Sequence, residues 1–218
     1  MGWPMLVFTV PLLYEHRLMK LLNHLFPRIR LSSVALGLLC LVPISPALAD
    51  YEAGVNAAFD GDYDTAYREF TIAAATGLDV AQYNLGILYF TGRGVDVDYD
   101  QAFKWTSAAA DQGHIAALFN LGSLYFSGHG TGADENKAVE LYSRSARSGS
   151  ADAAITLARM YRDGESVSAD PVQAHAWASM ALNHEHIEAA SLRDKIERGM
   201  NSQQMSEARR LFARWQIQ

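Results

Sequence analysis

The chain has 218 residues, half of them hydrophobic and 19% charged, with a formal net charge of −6 and a single cysteine. That composition is the composition of a folded chain, not of a disordered or collagenous one, and predicts one domain or one short repeat array. An acidic surface repels phosphate backbones, which makes nucleic acid a poor partner.

The first element in the chain is an address. From Met19 the sequence reads "MKLLNHLFPRIR", then the apolar run "LSSVALGLLCLVPI", then "SPALA" before Asp50. A basic segment, an apolar stretch short for a membrane span and a small-x-small ending at Ala47-Leu48-Ala49 predict a secretory signal peptide cleaved after Ala49. Residues 1–18 make a poor basic leader, so Met19 is a candidate true start. Cys40 lies in the apolar run behind Leu39, where an acylated cysteine wants a small neighbour, so no lipid anchor is expected. The chain after Ala49 would carry no cysteine, hence no disulfide and no cysteine-ligated zinc, and would hold 14 Lys or Arg against 23 Asp or Glu.

The body of the chain repeats. "YNLGILYFTGRG" at 83–94 returns as "FNLGSLYFSGHG" at 119–130, 36 positions later. The offset aligns Leu85, Leu121 and Leu157, then Tyr89, Tyr125 and Tyr161, then Gly92, Gly128 and Gly164, then Asp98, Asp134 and Asp170, and Gly77, Gly113 and Gly149 close the units. A fixed period of this length means a solenoid. "GDYDTAYREFTIAAATG" at 61–77 reads as the second helix of an earlier unit with a shorter loop.

Within a unit, residues 81–90 place Leu85, Leu88 and Tyr89 at helical spacing and stop at Gly92, suited to a left-handed cap. Asp98 stands as an N-cap with Gln101 three later, a capping-box spacing, and Asp170-Pro171 adds proline at the first helical position. The second helix carries the stripe Ala102, Trp105, Ala109. Two helices alone cannot bury that much apolar surface, so about three and a half stacked pairs are expected to do it together. Near the end, Asn201 and Gln204 form another capping box, and Met205, Ala208, Leu211, Phe212 and Trp215 share a face that would cover the open end of the array.

The pattern A-x-x-x-L-G-x-L-Y-x-x-G-x-G, an aspartate before the second helix, A-x-x-W and A-A-x-x-G resembles the Sel-one-like repeat, a relative of the tetratricopeptide repeat. The match covers about residues 51–184, and the tail from "AHAWASMALN" onward is similar to the closing segment of exported bacterial members. Leu141 departs from the usual tryptophan, Ala158 from the usual glycine, and "GESVSAD" lacks the second loop glycine. The resemblance implies an all-α, right-handed superhelical solenoid of antiparallel helix pairs with a concave face, used as an adaptor for proteins or peptides. The expected organisation is a signal-peptide region at 1–49, a repeat array at 50–184 and C-terminal capping helices at 185–218.

By analogy with tetratricopeptide grooves, the partner-binding stripe falls on the first helices: Tyr83, Ile87 and Phe90, then Phe119, Ser123 and Phe126, then Ile155, Arg159 and Arg162. It starts aromatic and ends cationic, suited to a peptide with an acidic group. Other motifs have simpler readings. "DVDYD" at 96–100 lacks the glycine and glutamate that a calcium loop needs at its sixth and twelfth positions. "GRG" and "GHG" follow no strand and precede no Gly-Lys-Ser/Thr, so they are turns. His184 and His186 are about 200° apart on a helix and cannot chelate one ion from it. No nucleophile elbow or Ser-x-x-Lys motif occurs after residue 49.

The sequence therefore predicts a periplasmic or secreted adaptor that binds a protein or peptide of the cell envelope, without cofactor, metal or catalysis. The alternative is a weak hydrolase or binder of peptidoglycan-like or β-lactam substrates, an activity described for cysteine-rich exported relatives whose paired cysteines this chain lacks.

Overall fold

The computed structural model describes residues 46–217. Most of the expected signal-peptide region at 1–49, with the candidate start Met19 and Cys40, lies outside the described residues. Among the described residues ten helices follow one another: α1 (Pro46–Asp60), α2 (Tyr63–Ala75), α3 (Asp79–Thr91), α4 (Tyr99–Asp111), α5 (Ile115–Ser127), α6 (Glu135–Arg147), α7 (Ala151–Asp163), α8 (Pro171–Asn183), α9 (Ala189–Glu197) and α10 (Ser202–Trp215). Each helix of α1–α8 packs on the next in the chain, so α1/α2, α3/α4, α5/α6 and α7/α8 form a stack of hairpins. The array is therefore one helix longer at its start than the expected three and a half pairs: α1 supplies the missing partner of α2. The expected cleavage point after Ala49 falls inside the first turn of α1.

The elements end where side-chain chemistry says they should. Asp62, Asp98, Asp134 and Asp170 each accept a hydrogen bond from a backbone N–H two or three residues on, satisfying an orphan donor of the second helix. At Asp98 the cap is the aspartate alone. The reciprocal capping box is present at Asn201 and Gln204. The first helices α3, α5 and α7 stop at the left-handed glycines 92, 128 and 164.

The repeated tyrosines occupy repeated environments. The carbonyls of Tyr89, Tyr125 and Tyr161 accept from the N–H of Asp98, Asp134 and Asp170 at 3.0, 2.9 and 2.8 Å. The Tyr89 ring meets Tyr67 edge-on at 5.6 Å, and Tyr125 meets Phe103 edge-on at 5.3 Å. Tyr67 and Phe103 are themselves 36 residues apart, so α3 and α5 pack their tyrosines in the same way on the second helix of the preceding unit.

The C-terminal end departs from the hairpin rule. The short helix α9 packs on α8, and α10 turns back onto α8 as well. Trp177 and Trp215 stack at 4.1 Å between centroids, and Phe212 and Trp215 pack on the last core cluster. That burial gives α10 its place, since an apolar stripe of this kind is stable only when covered.

Candidate functional site

The first helices α3, α5 and α7 carry all nine stripe residues, and the structure divides them. Tyr83 is 5% exposed and Ile155 2% exposed, both inside core clusters, so they present no surface to a partner. The reason is their place between neighbouring units. The Tyr83 ring stacks on His114 at 4.5 Å, and its hydroxyl accepts from Asn120 Nδ2 at 3.5 Å. Desolvation pushes the Tyr83 hydroxyl pKa up to about 12, so it stays a neutral partner of that amide.

Ser123 is also a packing residue. Its hydroxyl lies 3.1 Å from that of the buried Tyr142 on α6, so it faces its own second helix, not open solvent. Phe119 packs its ring on Tyr142 at 5.3 Å and Phe126 joins the same cluster. Phe90 contacts Tyr99 and His129 at 5.4 and 5.8 Å. Ile87, Phe90, Phe119 and Phe126 are half-buried and keep part of their surface open.

The cationic end is the most accessible. The side chains of Arg159 and Arg162 are 42% and 38% exposed, one helical turn apart on α7. Arg159 pairs with Glu188 at the start of α9, and Arg162 Nε donates to Asp163 at 2.7 Å. The Arg162 hydrogen bonds hold the Asp163 carboxyl below the usual carboxylate range. Exposed pairs of this kind contribute little to stability and exchange partners readily.

Repeat spacing concealed one feature because the α1/α2 loop is four residues shorter. Tyr51 on α1 corresponds to Tyr83 on α3 at an offset of 32. Asn84 Nδ2 donates to the Tyr51 hydroxyl at 3.4 Å, as Asn120 does to Tyr83. In the next unit both members change together, to Phe119 and Thr156, and Thr156 satisfies its hydroxyl on the Asp152 carbonyl at 2.7 Å. The alignment of Asn84 with Asn120 was the signal available, and its tyrosine partner was hidden by the altered loop length.

The histidines of "NHEHIE" are placed by the same repeat logic. His184 ends α8, and His186 Nδ1 accepts from Glu188 N–H at 3.1 Å while its other nitrogen lies 3.6 Å from Asp152. Among the described residues, no three metal-ligating side chains gather at one point. Asp98 of the calcium-like "DVDYD" stretch is spent as a helix cap.

Residues 79–114, 115–150 and 151–186 each match the Sel1 repeat model. The chain belongs to the Sel1 repeat family. The three Sel1 units coincide with α3/α4, α5/α6 and α7/α8, each 36 residues long. A Sel1 repeat protein from Oxalobacter formigenes is 26% identical over 66% of this chain, with a TM-score of 0.61, and this chain spans 59% of that protein. A protective antigen of uropathogenic Escherichia coli strains, described as displaying an SLR fold, is 24% identical over 78% of this chain and 45% of its own, with a TM-score of 0.45. No curated protein matches the sequence significantly. Sel1 repeat proteins generally mediate protein–protein interaction, and this chain has their helical-solenoid architecture. Among the described residues, no helix is long and apolar enough to cross a membrane.

Proposed function

We propose that this Sel1 array is a non-catalytic adaptor that binds a protein or peptide of the cell envelope, working in the periplasm after removal of residues 1–49. Its capture surface is the part of the first-helix row that packing leaves open: Ile87, Phe90, Phe119 and Phe126 on the apolar side, Arg159 and Arg162 at the cationic end. The observation that carries the reading is the exposure of the two arginines beside half-open apolar side chains on a repeat whose relatives bind proteins. A partner carboxylate would exchange with Glu188 and Asp163 at little cost, because both ion pairs are exposed.

The test is site-specific photo-crosslinking in living cells. A photoreactive residue at Ile87 or Arg162 should give one shared protein adduct, and one at Lys104 on α4 should not. Arg159→Glu with Arg162→Glu should abolish the adduct at Ile87 without changing the helical circular-dichroism signal. Equal adducts at all three positions, or an adduct untouched by the double variant, would remove this face from consideration. Phe119→Ala is a poor probe because it also unpacks Tyr142.

A further inference from the structure

Charge is segregated along the array. Residues 46–188 hold eight Lys or Arg against twenty Asp or Glu, whereas residues 189–217 hold six against three. In the repeats, most cations are engaged: Arg68, Lys137, Arg159 and Arg162 with carboxylates, Arg93, Lys104 and Arg147 over aromatic rings. In the last two helices only Arg193 has a carboxylate partner, Glu197. Among the described residues, Lys195, Arg198, Arg209, Arg210 and Arg214 have none.

Two ends of the molecule complement each other. The outward side of α10 is an uncovered helix face that presents Ser202, Met205, Ser206, Arg209, Arg210 and Ala213. At the opposite terminus, α1, α2 and the Asp62 cap between them carry six carboxylates against Arg68 alone. One exposed stripe of α1 runs Glu52, Ala53, Asn56, Phe59, Asp60, with Phe59 65% exposed, and Ile72 on α2 is 48% exposed. Neither end is covered by another described helix on that side, since α1 packs on α2 and α10 on α8.

We propose that the basic outer face of α10 docks on the acidic α1–α2 end of a second copy of this chain, joining copies head to tail. Arg209 and Arg210 meet Glu52 and Asp60, and Phe59 inserts beside Met205 and Ala213. Opposite fields of this size steer encounter and set the register. Such a contact uses two different patches, so it propagates into an open chain or closes into a ring. A lipid surface fits this face less well. The bulky apolar side chains Phe212 and Trp215 are already packed on the core, leaving no aromatic wedge for a bilayer, and the acidic remainder of the chain is repelled by anionic headgroups. This contact leaves the first-helix row uncovered and does not depend on the adaptor reading.

The experiment is sedimentation velocity of the purified chain across a concentration series at low and high salt. The expected result is a mass that rises with concentration at low salt, with association weakened about tenfold or more by salt screening. Arg209→Glu with Arg210→Glu should be monomeric, as should Glu52→Lys with Asp60→Lys. Mixing the two variants should restore association, because each then meets its complement. A wild-type chain that stays monomeric throughout overturns the proposal, as does association that survives both charge swaps. Retention of the monomer on phosphatidylglycerol vesicles, lost with the arginine variant, would assign the α10 face to lipid and also overturn the proposal.

Discussion

Gly122 on α5 lies so close to Tyr142 on α6 that a β-carbon added there would sit 2.8 Å from the tyrosine ring. The same pairing recurs as Gly54 with Phe70 and Gly86 with Thr106, and a β-carbon on those glycines would lie 2.7 and 2.6 Å from the partner side chain. In the last unit the corresponding residues are Ala158 and Ala178, both fully buried in one cluster. Ala158 is therefore a compensated departure from the repeat: a smaller residue on the second helix makes room for a larger one on the first. Gly122→Ala should lose about 1–2 kcal/mol in urea denaturation, overpacking outweighing the gain in helix propensity. Tyr142→Ala should cost roughly 3 kcal/mol through its cavity. The double variant should be more stable than the sum of the two costs by about 1 kcal/mol. Strict additivity would show that the two positions do not share volume.

The loop glycine after each first helix is set by a second close approach. Gly130 has φ 69°, and a β-carbon there would lie 2.0 Å from the Tyr99 carbonyl oxygen. The third unit has Ser166 at this position and keeps the same conformation, φ 62°. The missing glycine of "GESVSAD" therefore leaves the backbone conformation at that position unchanged and places a side chain in the left-handed region. Gly130→Ala should cost more than about 2 kcal/mol, whereas Ser166→Gly should stabilise by roughly 0.5–1 kcal/mol. Thermal unfolding of the two variants checks the opposite signs.

Acid should weaken the junction between the first and second Sel1 units. His114 Nδ1 accepts from Ala117 N–H at 3.2 Å, which requires an unprotonated ring nitrogen. Burial pushes the His114 imidazole pKa down, against a smaller upward pull from Asp79. The unfolded chain then binds this proton more readily than the folded one, so stability is fully present above about pH 6.5 and falls as the medium is acidified below it. His114→Ser, which copies the cap at Ser150, should flatten that part of the pH profile. An unchanged slope in denaturant melts from neutral to mildly acid pH would refute the assignment.

The C-terminal helix should be separable from the repeats. Trp215 stacks on Trp177 and carries Arg147 over its ring at 5.6 Å. Trp215→Ala should cost about 2–4 kcal/mol and raise amide exchange in α10 and α8 while sparing α5. Uniform acceleration through all helices would instead show that the array opens as one unit.

Ser123 shows where sequence reasoning about the site stopped. From repeat position alone it is an exposed groove residue, tolerant of alanine within about 0.5 kcal/mol. In the structure its hydroxyl is the partner of a buried tyrosine, so Ser123→Ala should cost about 1 kcal/mol or more by stranding the Tyr142 hydroxyl.

The period of 36, the aspartate caps, the glycine stops and the stripe of alanines on each second helix were legible in the sequence because each is a local requirement repeated in every unit. Backbone groups at a helix end need the same partner wherever the helix lies, so alignment alone identifies them. Which side of a first helix is open depends instead on the volume of residues far along the chain. Tyr83 is buried because His114 and Asn120 arrive over it from the next unit, and Ser123 is occupied because Tyr142 reaches it from its own second helix. The placement of α10 on α8, and with it the separation of a basic end from an acidic one, is likewise a property of packing, since the apolar face of a helix says that it must be covered but not by which neighbour.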